Sequence, residues 1–307
     1  MKKTLVLGAL MITAFSQLRS QDTLRAKDSS VLEWVDPAQV ATITVQGEKS
    51  RLPSAEEQKR PSPYTVKFKK DGPIILGLLA ANAGGLYLIQ NKKDLTPEQL
   101  ATKTRDKIPG FDRSNAGYYN EQANDDSYIP FYASFAWPVV MMVVDGDQSR
   151  HFGQVFSMYI ETMAVTGAMY SLTAGAISRS RPLVYGTEAP IGTRMSKNSQ
   201  RSFYAGHTAA TAASAFFTAK VFSDMNPGSR LKPVVWVVAA ALPAVVGYQR
   251  WRAGQHFLSD NLLGYAVGAA TGILIPHWHR TRKSSNVSIY PGFGRDYQGL
   301  SIVYKFR

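Results

Sequence analysis

The chain has 307 residues, 35 Lys and Arg against 22 Asp and Glu, no Cys, and a formal net charge of +13. Its length can bury a full core, and 45% hydrophobic with 19% charged residues excludes a disordered or low-complexity chain. The lack of Cys removes disulfides, thiolate nucleophiles and Cys-ligated metal centres, while the basic balance admits nucleic acid, anionic lipid or phosphorylated molecules as partners.

Lys2 and Lys3 precede an apolar run at residues 5–15, and charge returns only at Arg19. A short positive region followed by about a dozen apolar residues predicts a secretory signal peptide over 1–20, with small residues for cleavage near Ser16 or Ser20. The expected location is therefore a bacterial cell envelope, on the periplasmic side of or within a membrane, where nucleic acid is not an expected partner. Residues 21–72 are polar and rich in Pro, Ser and Lys, with one alternating stretch at 41–45, and read as an extension or linker.

From Pro73 the pattern changes to apolar runs at 74–89, 129–144, 155–177, 208–222, 233–248 and 258–276. Between the first two, Thr96-Pro97-Glu98-Gln99 combines a cap residue, a Pro at the first helical position and a Gln placed to close a capping box. The expected fold is all-α: a bundle of six apolar helices plus an amphipathic helix over 73–280. Runs of about 15 to 22 residues straddle the boundary between a buried core helix and a membrane span. Glu161, Lys220 and Pro243 interrupt individual runs, and the mean hydropathy is −0.16. Membrane association is the reading adopted. Residues 281–307 alternate as two short strands around Pro291-Gly292 and Gly299, which predicts a C-terminal β-hairpin packed on the bundle.

Three short segments carry residue types suited to phosphate chemistry. His256 and Asp260 stand four apart near a predicted helix start, so a carboxylate can fix the imidazole tautomer and leave the other ring nitrogen free as a nucleophile. Arg250 offers a planar fork matched to phosphate oxygens. Gly206 and His207 open an Ala-rich helix, the Gly allowing close backbone approach to an anion and the His able to protonate a leaving oxygen. Arg179-Ser180-Arg181-Pro182 closes the third apolar helix.

In this order, these segments resemble the signature of the type 2 phosphatidic acid phosphatase and vanadium haloperoxidase superfamily. That signature is Lys-x6-Arg-Pro, then Pro-Ser-Gly-His, then Ser-Arg-x5-His-x3-Asp. Here the third part stands as Gln249-Arg250-x5-His256-x3-Asp260, the second as Tyr204-Ala205-Gly206-His207, and the first as Arg181-Pro182 with Ala174 at the Lys position. The resemblance covers about residues 74 to 280. It implies a phosphatase for phosphomonoesters or pyrophosphates that needs no metal or other cofactor, with vanadate possible as a phosphate mimic.

On that resemblance His256 would attack phosphorus to form a phosphohistidine, with Asp260 orienting it. His207 would act as general acid and then base, while Arg181, Arg250 and the Gly206 N–H would bind the phosphate oxygens. The substrate would be a phosphorylated lipid, such as phosphatidate, phosphatidylglycerophosphate, undecaprenyl pyrophosphate or a lipid A phosphate, or else a small phosphoester. Ala174 and Ala205 remove a charge and a hydroxyl from the pattern. Arg179 is a poor substitute for the missing Lys, because position 174 shares a helical face with Arg181 and 179 does not; Lys197 or Arg201 are the alternatives. A weakened or inactive anion-binding relative is the second reading, and a vanadate-dependent haloperoxidase the third.

Overall fold

A computed structural model describes residues 61–281, and the backbone alone of residues 287–293 and 298–304. The predicted signal peptide, the alternating stretch at 41–45 and most of the polar extension lie outside the described residues. Over 61–281 the regular structure is helical throughout. Helix α1 is Phe68–Gln90, α2 Pro97–Ala101, α3 Glu121–Val144, α4 Gly146–Arg150 and α5 Phe152–Ala176. Helix α6 is Ile191–Met195, α7 Gly206–Met225, α8 Lys232–Arg252 and α9 Leu258–His279. Each of the six apolar runs falls in one of the long helices.

The starts of α1 and α3 lie earlier than apolar counting places them, because polar side chains bond the backbone of the first turn. The Asp71 carboxylate accepts the Lys67 N–H at 2.6 Å, so α1 opens ahead of Pro73. Asn120 accepts the Ala123 N–H at 2.7 Å and starts α3 eight residues before its apolar run. The capping box at Thr96 and Gln99 forms as expected, but the helix behind it lasts five residues and is no full amphipathic helix. The backbones of residues 287–293 and 298–304 run antiparallel. No packing of this pair on the bundle is described, so the packed tail hairpin expected from the sequence is not supported.

Helix α7 is the centre, with fourteen of its twenty residues buried, and α9, α8, α3 and α5 pack around it. Its closest partner is α9, where Gly264, Gly268 and Gly272 lie at four-residue spacing. A Cβ at any of the three would press into the carbonyl oxygens of Ala205, Ala209 and Ala213 respectively, which share that spacing on α7. Two small-residue stripes thus bring the helix backbones together. The Ala205 N–H donates to the Asp260 carbonyl at 3.0 Å, which locks the start of α7 to the start of α9.

Apolar side chains lie on the outside of the bundle as well as in its core. Leu76, Val143, Val237, Leu262 and Trp278 project from the outer helices with more than half their surface exposed. Buried hydroxyls tie helices together inside: Thr166 to Thr271 at 2.8 Å, Tyr159 to Ser214 at 3.0 Å, and Ser214 to the Ser134 carbonyl at 2.6 Å. Apolar outer faces around hydrogen-bonded small and hydroxylated residues are what a lipid environment favours. Among the described residues, four helices, α1, α3, α8 and α9, are long and apolar enough to cross a membrane.

Candidate active site

The connections at one end of the bundle, after α5, before α7 and between α8 and α9, converge on a cavity of about 500 Å³. Arg181, Arg201, His207, Arg250 and Gln255 line it, together with Asn124 and Tyr128 from the polar first turns of α3. Arg181, His207 and Arg250, far apart in sequence, therefore meet at one cavity as expected.

Arg250 occupies the last turn of α8 and is only 2% exposed. Its Nη1 donates to Asn124 Oδ1 at 2.7 Å and its Nη2 to Gln255 Oε1 at 3.4 Å. Arg181, just past α5, donates to that same Gln255 oxygen. Amide oxygens aim both guanidiniums without neutralising them. Among the described residues, no carboxylate forms an ion pair with Arg181, Arg201 or Arg250. The buried Nε of all three lacks any hydrogen-bond partner. Burial, then the neighbouring Arg250 charge, pushes the Arg181 pKa down to about 9. Concentrated, unmatched positive charge of this kind costs several kcal/mol per buried ion unless an anion joins it.

Gly254, at φ +67, turns the chain between Arg250 and His256; a side chain there would collide with the Tyr118 carbonyl. The turn buries His256 to 1% exposure beside Gln255, behind the cavity lining. Its Nδ1 lies 2.7 Å from the Ser202 carbonyl oxygen. A carbonyl only accepts, so Nδ1 carries the proton and donates it, leaving the lone pair on Nε2. Burial, then the charges of Arg181 and Arg250, hold the ring well below the ordinary imidazole pKa, against the Ser202 bond, which raises it.

The direct contact expected between Asp260 and His256 is replaced by an indirect one. Asp260 accepts the Ser202 hydroxyl at 2.6 Å and the Phe257 N–H at 3.0 Å, and it pairs with Arg179. It therefore fixes the residue whose carbonyl holds His256. An i,i+4 spacing puts two residues on one helical face, but His256 precedes the helix, so the spacing carried no such guarantee here.

The helical phase expected for Arg179 does not apply, because α5 stops at Ala176 and the chain at 177–181 is extended instead of closing the helix. Arg179 stays outside the cavity lining and clamps this end. It pairs with Asp112 at 2.7 Å as well as with Asp260, and it lies over the Phe257 ring at 4.7 Å. Asp112 also accepts the Ser259 N–H at 2.9 Å and hydroxyl at 2.6 Å. These bonds, led by those from Ser259, more than offset burial and hold the Asp112 carboxyl below its usual range. The sequence reading missed Asp112, Gln255 and Asn124, which sit in no helix-phase or motif position that marks them.

His207, second residue of α7, presents its ring to the cavity against Phe131 and Tyr128, at centroid distances of 4.5 and 5.4 Å. Gly206 does not line the cavity; the lack of a side chain there is required by the Tyr170 ring, into which a Cβ would run. The departures at Ala174 and Ala205 are both 0% exposed, enclosed by helix packing.

The PAP2 superfamily matches residues 156–284, a stretch holding all three motif segments. No curated protein matches the chain. A solved structure described as the first transmembrane PAP2 type phosphatidylglycerolphosphate phosphatase, from Bacillus subtilis, is similar at 18% identity and a TM-score of 0.43. That similarity covers 69% of this chain and 96% of the other. Arg181-Pro182, Gly206-His207 and Arg250-x5-His256-x3-Asp260 are gathered at one end of the bundle, all within the stretch 156–284 that is similar to the PAP2 superfamily.

Proposed function

We propose that the chain is a phosphatase of the bacterial cell envelope, hydrolysing phosphomonoesters or pyrophosphates carried on lipids through a phosphohistidine. The observation that carries this reading is a set of arginines without carboxylate partners, Arg250 buried and Arg181 and Arg201 half-buried with their Nε atoms enclosed, beside an imidazole whose tautomer leaves Nε2 unprotonated. An anion neutralises such a site. The guanidiniums stabilise a phosphoryl group most as charge shifts onto its oxygens in the transition state.

In the first step the His256 Nε2 lone pair forms a bond to phosphorus while the bond to the leaving oxygen breaks, and His207 gives that oxygen a proton. In the second step His207 takes a proton from water as the water oxygen attacks phosphorus, releasing inorganic phosphate and neutral His256. Asp260, through Ser202, keeps Nε2 aimed. The guanidiniums supply the charge neutralisation, so the proposed steps call for no further cofactor. Lipid is favoured over soluble esters by the apolar outer faces, which would set the cavity near a membrane surface.

Hydrolysis of phosphatidate and p-nitrophenyl phosphate by the purified chain, beside a His256→Ala variant, tests the reading. The variant should lose turnover altogether. Equal rates from both proteins reject the phosphatase. Vanadate binding without turnover by the natural chain would assign it instead as an anion-binding relative, a reading favoured by the enclosed Ala174 and Ala205. Peroxide-dependent bromination on adding vanadate would assign a haloperoxidase.

A further inference from the structure

Resting on that phosphatase reading, we propose that Arg201 is a further phosphate-binding residue, supplying from a loop the cation that position 174 lacks. Ala174 sits at 0% exposure within α5, so neither charge nor open space exists there. The other basic side chains around this end are engaged. Lys197 Nζ donates to the Gln90 carbonyl at 2.7 Å, Lys92 Nζ to the Ile177 carbonyl at 2.6 Å, and Arg194 to the Val184 carbonyl at 3.2 Å. Arg179 is paired with two carboxylates. Arg201 lines the cavity, and its buried Nε–H has no partner.

The backbone explains how a loop residue holds such a position. Residues 199–202 are zipped alongside 179–181: the Arg181 N–H donates to the Ser199 carbonyl at 2.8 Å, Arg179 to Gln200 at 3.1 Å, and Ser202 to Arg179 at 2.9 Å. Arg179 and Arg201 form a parallel bridge. The segment that brings Arg201 to the cavity is thus pinned to the one that brings Arg181, and its next residue, Ser202, holds His256. A phosphomonoester carries a charge near −2 at neutral pH. With Arg181 and Arg250, Arg201 makes three guanidiniums, enough to balance that charge and the additional negative character of the transition state.

The test uses the full chain in detergent, with Arg201→Gln, Arg201→Lys and, as a control outside the cavity, Lys197→Gln. Arg201→Gln should lower kcat/KM for p-nitrophenyl phosphate, and raise the inhibition constants of inorganic phosphate and orthovanadate, by about 10- to 100-fold, the size of a lost charge-assisted hydrogen bond. Arg201→Lys should recover most of that loss, and Lys197→Gln should match the natural protein. If the natural chain hydrolyses the ester and Arg201→Gln stays within about twofold in both constants, Arg201 binds no phosphate although the phosphatase stands. If the natural chain shows no turnover, the phosphatase reading falls and Arg201 is judged by thermal unfolding with orthovanadate. A stabilisation lost in Arg201→Gln and kept in Arg201→Lys upholds the assignment. An equal shift in all variants, or none in the natural chain, overturns it.

Discussion

The two ends of the bundle handle buried charge in opposite ways. At the far end, where α7 and α9 finish, Asp224 takes a hydrogen bond from Tyr64 at 2.9 Å and pairs with Lys220 and, at 3.6 Å, with Arg280. Beside it, His279 bonds Glu161 at 2.7 Å. Each charge there meets its opposite, and the result ties the chain before α1 to the ends of α7 and α9. At the cavity end Arg179 is likewise paired, but Arg181, Arg201 and Arg250 meet only neutral oxygens or nothing. Charge matched within the chain serves stability; charge left unmatched in a buried cavity serves a ligand.

Among the arginines and carboxylates of the two ends, the largest expected effect falls on Arg250. Arg250→Met should lower kcat/KM by about 10²- to 10³-fold, as loss of an aimed transition-state donor does. Its thermal stability without substrate should hold or rise, because an uncompensated buried charge is removed. A fall in both together would place Arg250 with the structural charges and blur the distinction between the ends.

Arg179→Met should act in the reverse sense. It leaves Asp112 and Asp260 buried without their cation, at a cost of about 3 kcal/mol in unfolding free energy. Turnover should fall as well, through loss of the Ser202 carbonyl that holds His256. Denaturant unfolding beside steady-state kinetics separates the two losses.

Asp224→Asn should cost about 1 to 2 kcal/mol in unfolding free energy with kcat and KM unchanged, since its partners lie at the end away from the cavity. A change in KM would show that the far end communicates with the site.

The last test is the pH dependence of stability. The His256 pKa is lowered in the folded chain, so the unfolded chain binds its proton first as pH falls below about 6.5. The contribution of His256 is therefore fully present above that pH and lost on acidification toward the folded pKa, at up to about 1.4 kcal/mol per pH unit. Thermal unfolding between pH 7.5 and 5 should show the loss, and His256→Asn should lessen it.

Much of this was readable from residue order. The apolar runs locate the six long helices because each must hide an apolar length from water. The capping box at Thr96 forms because it is closed entirely by neighbours in sequence. The polar first turns of α1 and α3 escaped that reading, since apolar counting sees only the length facing lipid or core. With α3 went Asn124 and Tyr128, two walls of the cavity. Asp260 was correctly placed near the site and wrongly placed against His256, because spacing along a helix says nothing of a residue that precedes it.

The sequence by itself determined which segments are helical, which residue types stand at their ends and which family signature they spell. Only the tertiary structure decided which arginines are spent and which are available. Arg179 and Arg181 are two residues apart, yet the partners of Arg179 lie 67 and 81 positions away in the chain. Ion pairing across such separations is set by the close packing of α7 on α9 and the zipped loop segments, and no local pattern encodes it.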